Sequence, residues 1–245
     1  MYLYFFDYLS DEKNAIKMKI FENFFHLFYP KLCALCDVQL VTNEKVLCTH
    51  CRHDIPIICE TDYRNNKISK SFYGKIPIEK AISFLFYRKE GKTKQLIHQL
   101  KYKGNQEIGS FIGNWFGAVL KESNEFHEID YIIPVPLHPK KLKKRGYNQL
   151  TTFGESLSII LKTPYKKDVL VRVSTSKTQT LKQRFDRFNN LDSKFFLNDT
   201  TIFKDKHLLL IDDVITTGAT LEACCKELLK SEKCKISIVT MAFTE

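Results

Sequence analysis

Nowhere in the 245 residues does an apolar run approach the roughly 20 consecutive residues that a membrane-spanning helix requires. The nearest candidate, IFENFFHLFY, is interrupted by Glu22, Asn23 and His26. The N-terminus, MYLYFFDYLSDEK, is apolar but lacks the basic start of a secretory signal, and acidic residues come directly after it. There is no low-complexity tract and no block of like charge long enough to keep a tail disordered. Membrane insertion and export are therefore not expected, and the chain reads as a cytoplasmic, globular protein.

Acidic residues are also in deficit. Lys and Arg number 38 against 28 Asp and Glu, a formal net charge of +10 with a pI near 9.1, which favours anionic partners such as phosphorylated metabolites or nucleic acid. The densest basic run is KKLKKR, Lys140 to Arg145. With 44% hydrophobic and 27% charged residues, the chain can bury a core without the help of disulfides. Eight cysteines in a reducing compartment are then expected to be free thiols or metal ligands.

The pattern along the chain marks three regions: 1–32, 33–75 and 76–245. Residues 1–17 differ in character from the rest of the chain, and Met18 opens a more coherent segment; no function is read in the first 17. KIFENFFHLFYP predicts a short amphipathic helix with Phe21, Phe24, Phe25 and Phe28 at helical spacing, stopped by Pro30. Residues 33–75 are short-looped and cysteine-rich. Beyond them, AISFLFY reads as a strand, GKTKQLIHQLKYKG and IGSFIGNWFGAVLKE as helices. His98 in the first of these helices reads as a packing or surface residue. From Asp130 onward, strand alternates with helix: YIIPVP, NQLTTFGESLSIILK, DVLVRV, HLLLI, TLEACCKELLKSE, KISIVTMAF. Strands rich in Ile, Val and Leu without alternation, separated by amphipathic helices, predict an α/β fold with a parallel sheet covered on both faces. Ligands of such sheets sit at the carboxyl ends of the strands.

Cys33-x2-Cys36 and Cys48-x2-Cys51 place four thiolates in two knuckles, the spacing of a structural zinc site. A redox role for one C-x-x-C pair is the alternative, and the presence of two pairs so close together favours zinc. His50 and His53 read as bystanders, because four cysteines already complete a tetrahedron. Cys224, Cys225 and Cys234 read as small core residues.

The stretch LLLIDDVITTGAT ends an aliphatic strand on Asp212 and Asp213, then supplies Thr216, Thr217, Gly218, Ala219 and Thr220 ahead of a helix. Free amides at a helix N-terminus and a glycine able to take positive φ suit a phosphate; the two carboxylates suit hydroxyls or a hydrated Mg²⁺ close by. A diol next to a phosphate is a ribose 5-phosphate. On a second strand, IIPVPLHPKKLKKRGYNQ repeats the strand-to-loop arrangement with prolines and bases in place of acids, so Pro136, Lys144 and Arg145 are candidates for a pyrophosphate. VSTSKTQTLKQRFDRFNNL is polar and too long for a simple connection, which predicts a mobile loop over the site, with Lys177, Arg184 and Arg187 closing on a leaving group.

LLLIDDVITTGAT resembles the 5-phosphoribosyl-1-pyrophosphate (PRPP) motif of the type I phosphoribosyltransferases. The resemblance implies that Asp212 and Asp213 hold the ribose 2- and 3-hydroxyls and that residues 216–220 surround the 5-phosphate. PVPLHP, RGYNQ, KTQT, RFDRFNN and LIHQLKYKGN, in that setting, resemble the ComF family of phosphoribosyltransferase-fold proteins over about residues 20–245; Leu181 and Lys182 stand where small or polar residues are expected. The implied fold is a type I phosphoribosyltransferase sheet flanked by helices, preceded by a small zinc module. The implied function is transfer or recognition of a phosphoribosyl group with Mg²⁺, tied to DNA uptake. A non-catalytic sensor of PRPP or nucleotide, or an adaptor binding single-stranded DNA or DNA-uptake proteins, is the alternative. The acceptor is not legible: any hood over it must come from residues 33–110, where no base pocket can be read.

Overall fold

Aliphatic strands without polar alternation must be covered on both faces, and four of them meet in one sheet. The computed structural model describes residues 30–173 and 195–244. The helix expected around Phe21–Phe28 and the whole segment carrying Lys177, Arg184 and Arg187 lie outside the described residues. The chain divides into two compact units, Met1–Asp54 and Ile55–Glu245.

In the smaller unit, a turn at Cys33–Asp37 is closed by the amide of Asp37 donating to the carbonyl of Cys33 at 3.0 Å, with Asp37 itself at φ 58°. Cys48 caps α1 (Thr49–His53). Glu44 ties the two halves together: its carboxylate accepts from the amide of Val41 (3.1 Å), the amide of Thr49 (2.5 Å) and the hydroxyl of Thr49 (2.8 Å). Those bonds favour the charged form and hold its carboxyl below the ordinary range.

The larger unit opens with Pro56–Ile58 bonded along the outer edge of β1 (Lys80–Tyr87), then α2 (Lys67–Lys70), whose capping box joins Asn66 and Ser69. Next come α3 (Lys92–Tyr102), α4 (Glu107–Glu122), β2 (Tyr131–Pro134), α5 (Pro139–Arg145), α6 (Leu150–Leu161), β3 (Leu170–Arg172), β4 (Phe195–Leu197), β5 (His207–Ile215), α7 (Ala219–Leu228) and β6 (Lys235–Thr244). The main sheet is all parallel in the order β1-β6-β5-β2. Beyond β2, Tyr165 adds a parallel bridge to Ile132. Leu208 to Ile211, Ile132, Ile133, Ile238 and Val239 are solvent-free at its centre.

Two expectations are corrected. DVLVRV does not join the parallel sheet: Leu170–Arg172 pairs antiparallel with Phe195–Leu197 as a separate two-stranded ribbon. The residues favour extended backbone whatever their partner, and β content alone does not name the strand they pair with. KKLKKR is not a loop but the short helix α5, opened by Pro139 at its first turn and stopped by Gly146 at φ 79°. Its side chains are all at least partly exposed, so it lacks the apolar stripe by which helices are recognised.

α4 and α6 lie close because α4 carries small residues on the contact face. A β-carbon on Gly113 would sit 2.7 Å from Cβ of Ser156 and 2.8 Å from the carbonyl oxygen of Phe153. Cys224, Cys225 and Cys234 are buried, as expected of core residues.

Candidate functional site at the carboxyl ends of β2 and β5

Strand connections reverse direction between β2 and β5. The chain leaving β2 passes through α6 to the outer edge at Tyr165, and the chain leaving β5 passes through α7 to β6 on the other side. Such a reversal opens a crevice at the carboxyl ends of the two strands. The register makes it concrete. β2 pairs with β5 only as far as Pro134↔Ile211, beyond which the amide of Val135 donates to the carbonyl of Ile211 at 2.9 Å. β5 runs on through Asp212 to Ile215 with β6 as its only ladder partner among the described residues. The two prolines at 134 and 136 offer no amide to continue the ladder. Asp212 and Asp213 therefore begin where β5 loses one neighbour, and the strand extends past them rather than ending on them.

Successive strand residues face opposite ways. Asp213 is buried, and its Oδ2 accepts from Nζ of Lys101 at 2.8 Å and from Nε2 of Gln149 at 2.6 Å. Lys101 comes from the last turn of α3 and Gln149 caps α6, so the Asp213 side of the sheet is the side of these two helices. Asp212 is partly exposed and accepts from the amide of Asp213 at 2.8 Å. Burial of its carboxyl group and the neighbouring charge of Asp213 push it up to about 8, against the pull of that amide and of Lys101 and Arg172. Burial, with the charge of Asp212 as a smaller cause, raises the Cys224 thiol of α7.

After β5, Thr216 and Thr217 are exposed, and Gly218 stands at φ 76° as the cap of α7. The glycine is required twice over: that φ is the left-handed region, and an added Cβ would meet Cε1 of Phe72 at 3.1 Å. Ala219 and Thr220 open the ten-residue α7 and are exposed, and Gly218 offers no side chain to cap the first-turn amides. The amide of Ala219 lies 3.4 Å from the hydroxyl of Thr217.

On the β2 side, Pro136 is partly exposed and α5 comes next. Arg145 donates to Oε1 of Gln149 at 2.7 Å, and its guanidinium stacks 4.9 Å from the ring centre of Tyr102. Gln149 thus bridges Arg145 to Asp213. Lys144 is exposed on the same helix. The structure brings Arg145 to within one side chain of Asp213 and leaves Lys177, Arg184 and Arg187 undescribed.

Sequence reasoning missed Lys101 and Gln149. They stand in LIHQLKYKGN and RGYNQ, two of the segments that carry the family resemblance, but nothing in either segment says that it closes on a carboxylate of β5. His98 is exposed, its ring 5.0 Å from that of Tyr102, as a surface residue.

In the smaller unit, the Sγ atoms of Cys33, Cys36, Cys48 and Cys51 lie within 4.8 Å of one another, those of Cys36 and Cys48 at 3.7 Å. Four sulfurs at about 2.3 Å from a tetrahedral zinc stand ~3.8 Å apart, so the cluster fits that ion. The amide of Cys48 donates to Sγ of Cys33 and that of Cys51 to Sγ of Cys48, both at 3.4 Å. Burial opposes charge on Cys33, yet the amides of Cys48, Leu35 and Cys36 bring it down to about 7. Burial and the three neighbouring sulfurs push Cys51 up to about 12. Without a cation, the four thiols resist becoming thiolates together; a divalent ion removes that penalty. His50 and His53 face Asp54 instead, at 3.5 and 3.4 Å, and both are exposed.

Residues 147–244 match the family model described as the phosphoribosyl transferase domain. Competence protein F of Haemophilus influenzae is 32% identical over 139 residues, 55% of this chain and 61% of that protein. DNA utilization protein YhgH of Escherichia coli strain K12 is 23% identical over 210 residues, 84% of this chain and 88% of that protein. Competence protein ComFC of Bacillus subtilis is 27% identical over 148 residues, 60% of this chain and 58% of that protein. The chain thus spans less than two thirds of both competence proteins. A solved purine phosphoribosyltransferase from Pyrococcus horikoshii is 21% identical with a TM-score of 0.35, covering 54% of this chain and 74% of that one.

The parallel sheet flanked by helices, with Asp212 and Asp213 in its crevice, defines a protein of the type I phosphoribosyltransferase fold. Within that class, the chain is similar to Competence protein F and Competence protein ComFC over the spans just given, and it carries a four-cysteine cluster in its smaller unit. Among the described residues, no helix is long and apolar enough to cross a membrane.

Proposed function

We infer that the chain binds PRPP at the carboxyl ends of β2 and β5. Asp212 and Asp213 receive the ribose hydroxyls, residues Thr216 to Thr220 the 5-phosphate, and Pro136, Lys144 and Arg145, with Lys177, Arg184 and Arg187, the pyrophosphate. The observation that carries this is the order of groups along one stretch of backbone: two carboxylates where β5 loses a partner, then a left-handed Gly218, then the open amides of α7. A phosphate suits those amides, and hydroxyls suit the carboxylates that precede them on the same strand. Mg²⁺ would arrive with the ligand's phosphates, since carboxylate oxygen is the donor it prefers.

In the reaction, the bond from ribose C1 to the pyrophosphate oxygen breaks as a bond from the acceptor to C1 forms. Negative charge collects on the leaving oxygens, where fixed cations stabilise it. The chain's own part is to hold the sugar by its hydroxyls and 5-phosphate, so that C1 is presented to the acceptor. The names of the relatives, competence and DNA utilization, support a place in DNA uptake.

The zinc module is structural in this reading, folding residues 33–54 around one ion. A second reading, a PRPP sensor or adaptor for single-stranded DNA, is favoured by the exposed lysines of α5. Its mark would be an affinity that falls steeply with salt.

Calorimetric titration with PRPP and Mg²⁺ tests the binding. Heat in the wild type that vanishes in the double variant Asp212→Asn, Asp213→Asn sustains it; no heat in the wild type removes it. Pyrophosphate release with nucleobases, amines or single-stranded DNA as acceptors then separates enzyme from sensor.

A further inference from the structure

The four cysteines of the smaller unit do not meet solvent equally. Cys33, Cys48 and Cys51 are 0%, 7% and 2% exposed, whereas Cys36 is open to water. Of the eight cysteines in the chain only Cys36 and Cys59 are exposed, and Cys59 stands outside the cluster. A dissolved reagent therefore reaches the cluster at one sulfur. That sulfur also has a partner at hand. Cys36 lies on the turn that runs from Cys33 to Asp37, and its Sγ is 3.7 Å from that of Cys48, the cap of α1. A disulfide holds its sulfurs about 2.05 Å apart, so the two have about 1.7 Å to close.

We propose that Cys36 and Cys48 are an oxidative modification site: a hydroperoxide enters at Cys36, the pair closes into a disulfide, and the cluster loses its hold on zinc. The thiolate of Cys36 attacks one peroxide oxygen; the S–O bond forms, the O–O bond breaks, and the other oxygen leaves with a proton as water or an alcohol. The thiolate of Cys48 then attacks the sulfur of the Cys36 sulfenic acid; the S–S bond forms, the S–O bond breaks, and hydroxide departs with a proton as water. Two electrons pass from the sulfurs to the peroxide. Cys33 and Cys51 are left as thiolates, and two ligands do not complete a tetrahedral zinc site. Val46 and Leu47 are the only other buried apolar side chains among the described residues up to Asp54, so residues 33–54 unfold when the ion goes. The inference does not depend on whether the larger unit binds PRPP.

The test treats the full-length, zinc-loaded protein with hydrogen peroxide, follows zinc with a metallochromic dye, and maps disulfides by mass spectrometry after alkylation of the remaining thiols. One zinc per chain should appear as the disulfide Cys36–Cys48 forms, with Cys33 and Cys51 still reduced. Cys59→Ser removes the other exposed thiol and should leave the release unchanged. Cys36→His keeps a zinc ligand but offers no sulfur to the peroxide, and should slow the release about tenfold or more. Zinc retained under peroxide, release at the wild-type rate from Cys36→His, release abolished by Cys59→Ser, or a first disulfide other than Cys36–Cys48 would overturn the proposal. Should the Cys36→His chain hold no zinc, the disulfide mapped in the Cys59→Ser protein decides alone.

Discussion

The ammonium of Lys101 stands 2.8 Å from Oδ2 of Asp213, and the amide nitrogen of Gln149 stands 2.6 Å from the same oxygen. Two helices of the larger unit thereby converge on a single carboxylate at the open end of β5. Lys101 keeps about a fifth of its side-chain exposure and Asp213 about a tenth, 20% and 11%, so neither partner is fully solvated.

Lys101→Met strips that carboxylate of its charge partner in a half-dry setting. Stability should fall by about 1–3 kcal/mol, below the value for a fully buried pair because water still reaches Lys101. Urea denaturation checks it. Restoration of most of the loss by Asp213→Asn in the Lys101→Met background would show that the cost is the orphaned charge rather than lost packing.

Asp212 carries a pH signature. Its carboxyl group is raised from 3.8 to about 8, so the folded state holds a proton that the unfolded state gives up. The stabilising contribution is complete below about pH 4 and disappears as pH rises toward 8. Thermal melts from pH 5 to 9 should show a decline in the wild type that Asp212→Asn flattens. An equal decline in both proteins would assign it elsewhere. A ligand that prefers the carboxylate should bind more tightly over the same rise in pH, with a proton released on binding.

Gly218→Ala combines a positive φ with a contact to Phe72. The cost should be about 1–2 kcal/mol in denaturation, from the left-handed conformation alone. Loss of PRPP binding should exceed that figure, because the turn that aims the α7 amides has to move. Phe72→Leu in the same background opens the space without relieving φ, and so should recover little.

The cysteine cluster should release one zinc per chain on denaturation, read with a metallochromic dye. Cys36→Ser should lower the yield and leave residues 33–54 susceptible to protease. Chelation should have the same effect on the wild type, since among the described residues up to Asp54 only Val46 and Leu47 are buried apolar side chains besides the cysteines.

The four sheet strands were legible because each is rich in aliphatic or aromatic residues, and the α/β alternation came from the amphipathic segments between them. The four-cysteine cluster was legible from spacing alone. The Asp-Asp-to-Thr-Gly-Ala-Thr stretch stood out as a candidate site because each residue type there has few other reasons to stand in that order. α5 was not legible, since Pro139–Arg145 buries nothing and so writes no periodicity. Nor was the pairing of Leu170–Arg172 with Phe195–Leu197, because extended residues do not name their partners.

Composition and local pattern by themselves determined most of the helices and strands, the spacing of the four cysteines and the order of acids, threonines and glycine after the LLLI run, all of which are properties of short stretches. Only the tertiary structure decided that Lys101 and Gln149 close on Asp213 and that Arg145 reaches it through Gln149. Contacts of that kind join residues far apart in the chain, and they exist only once the sheet's order and register have brought their backbones together.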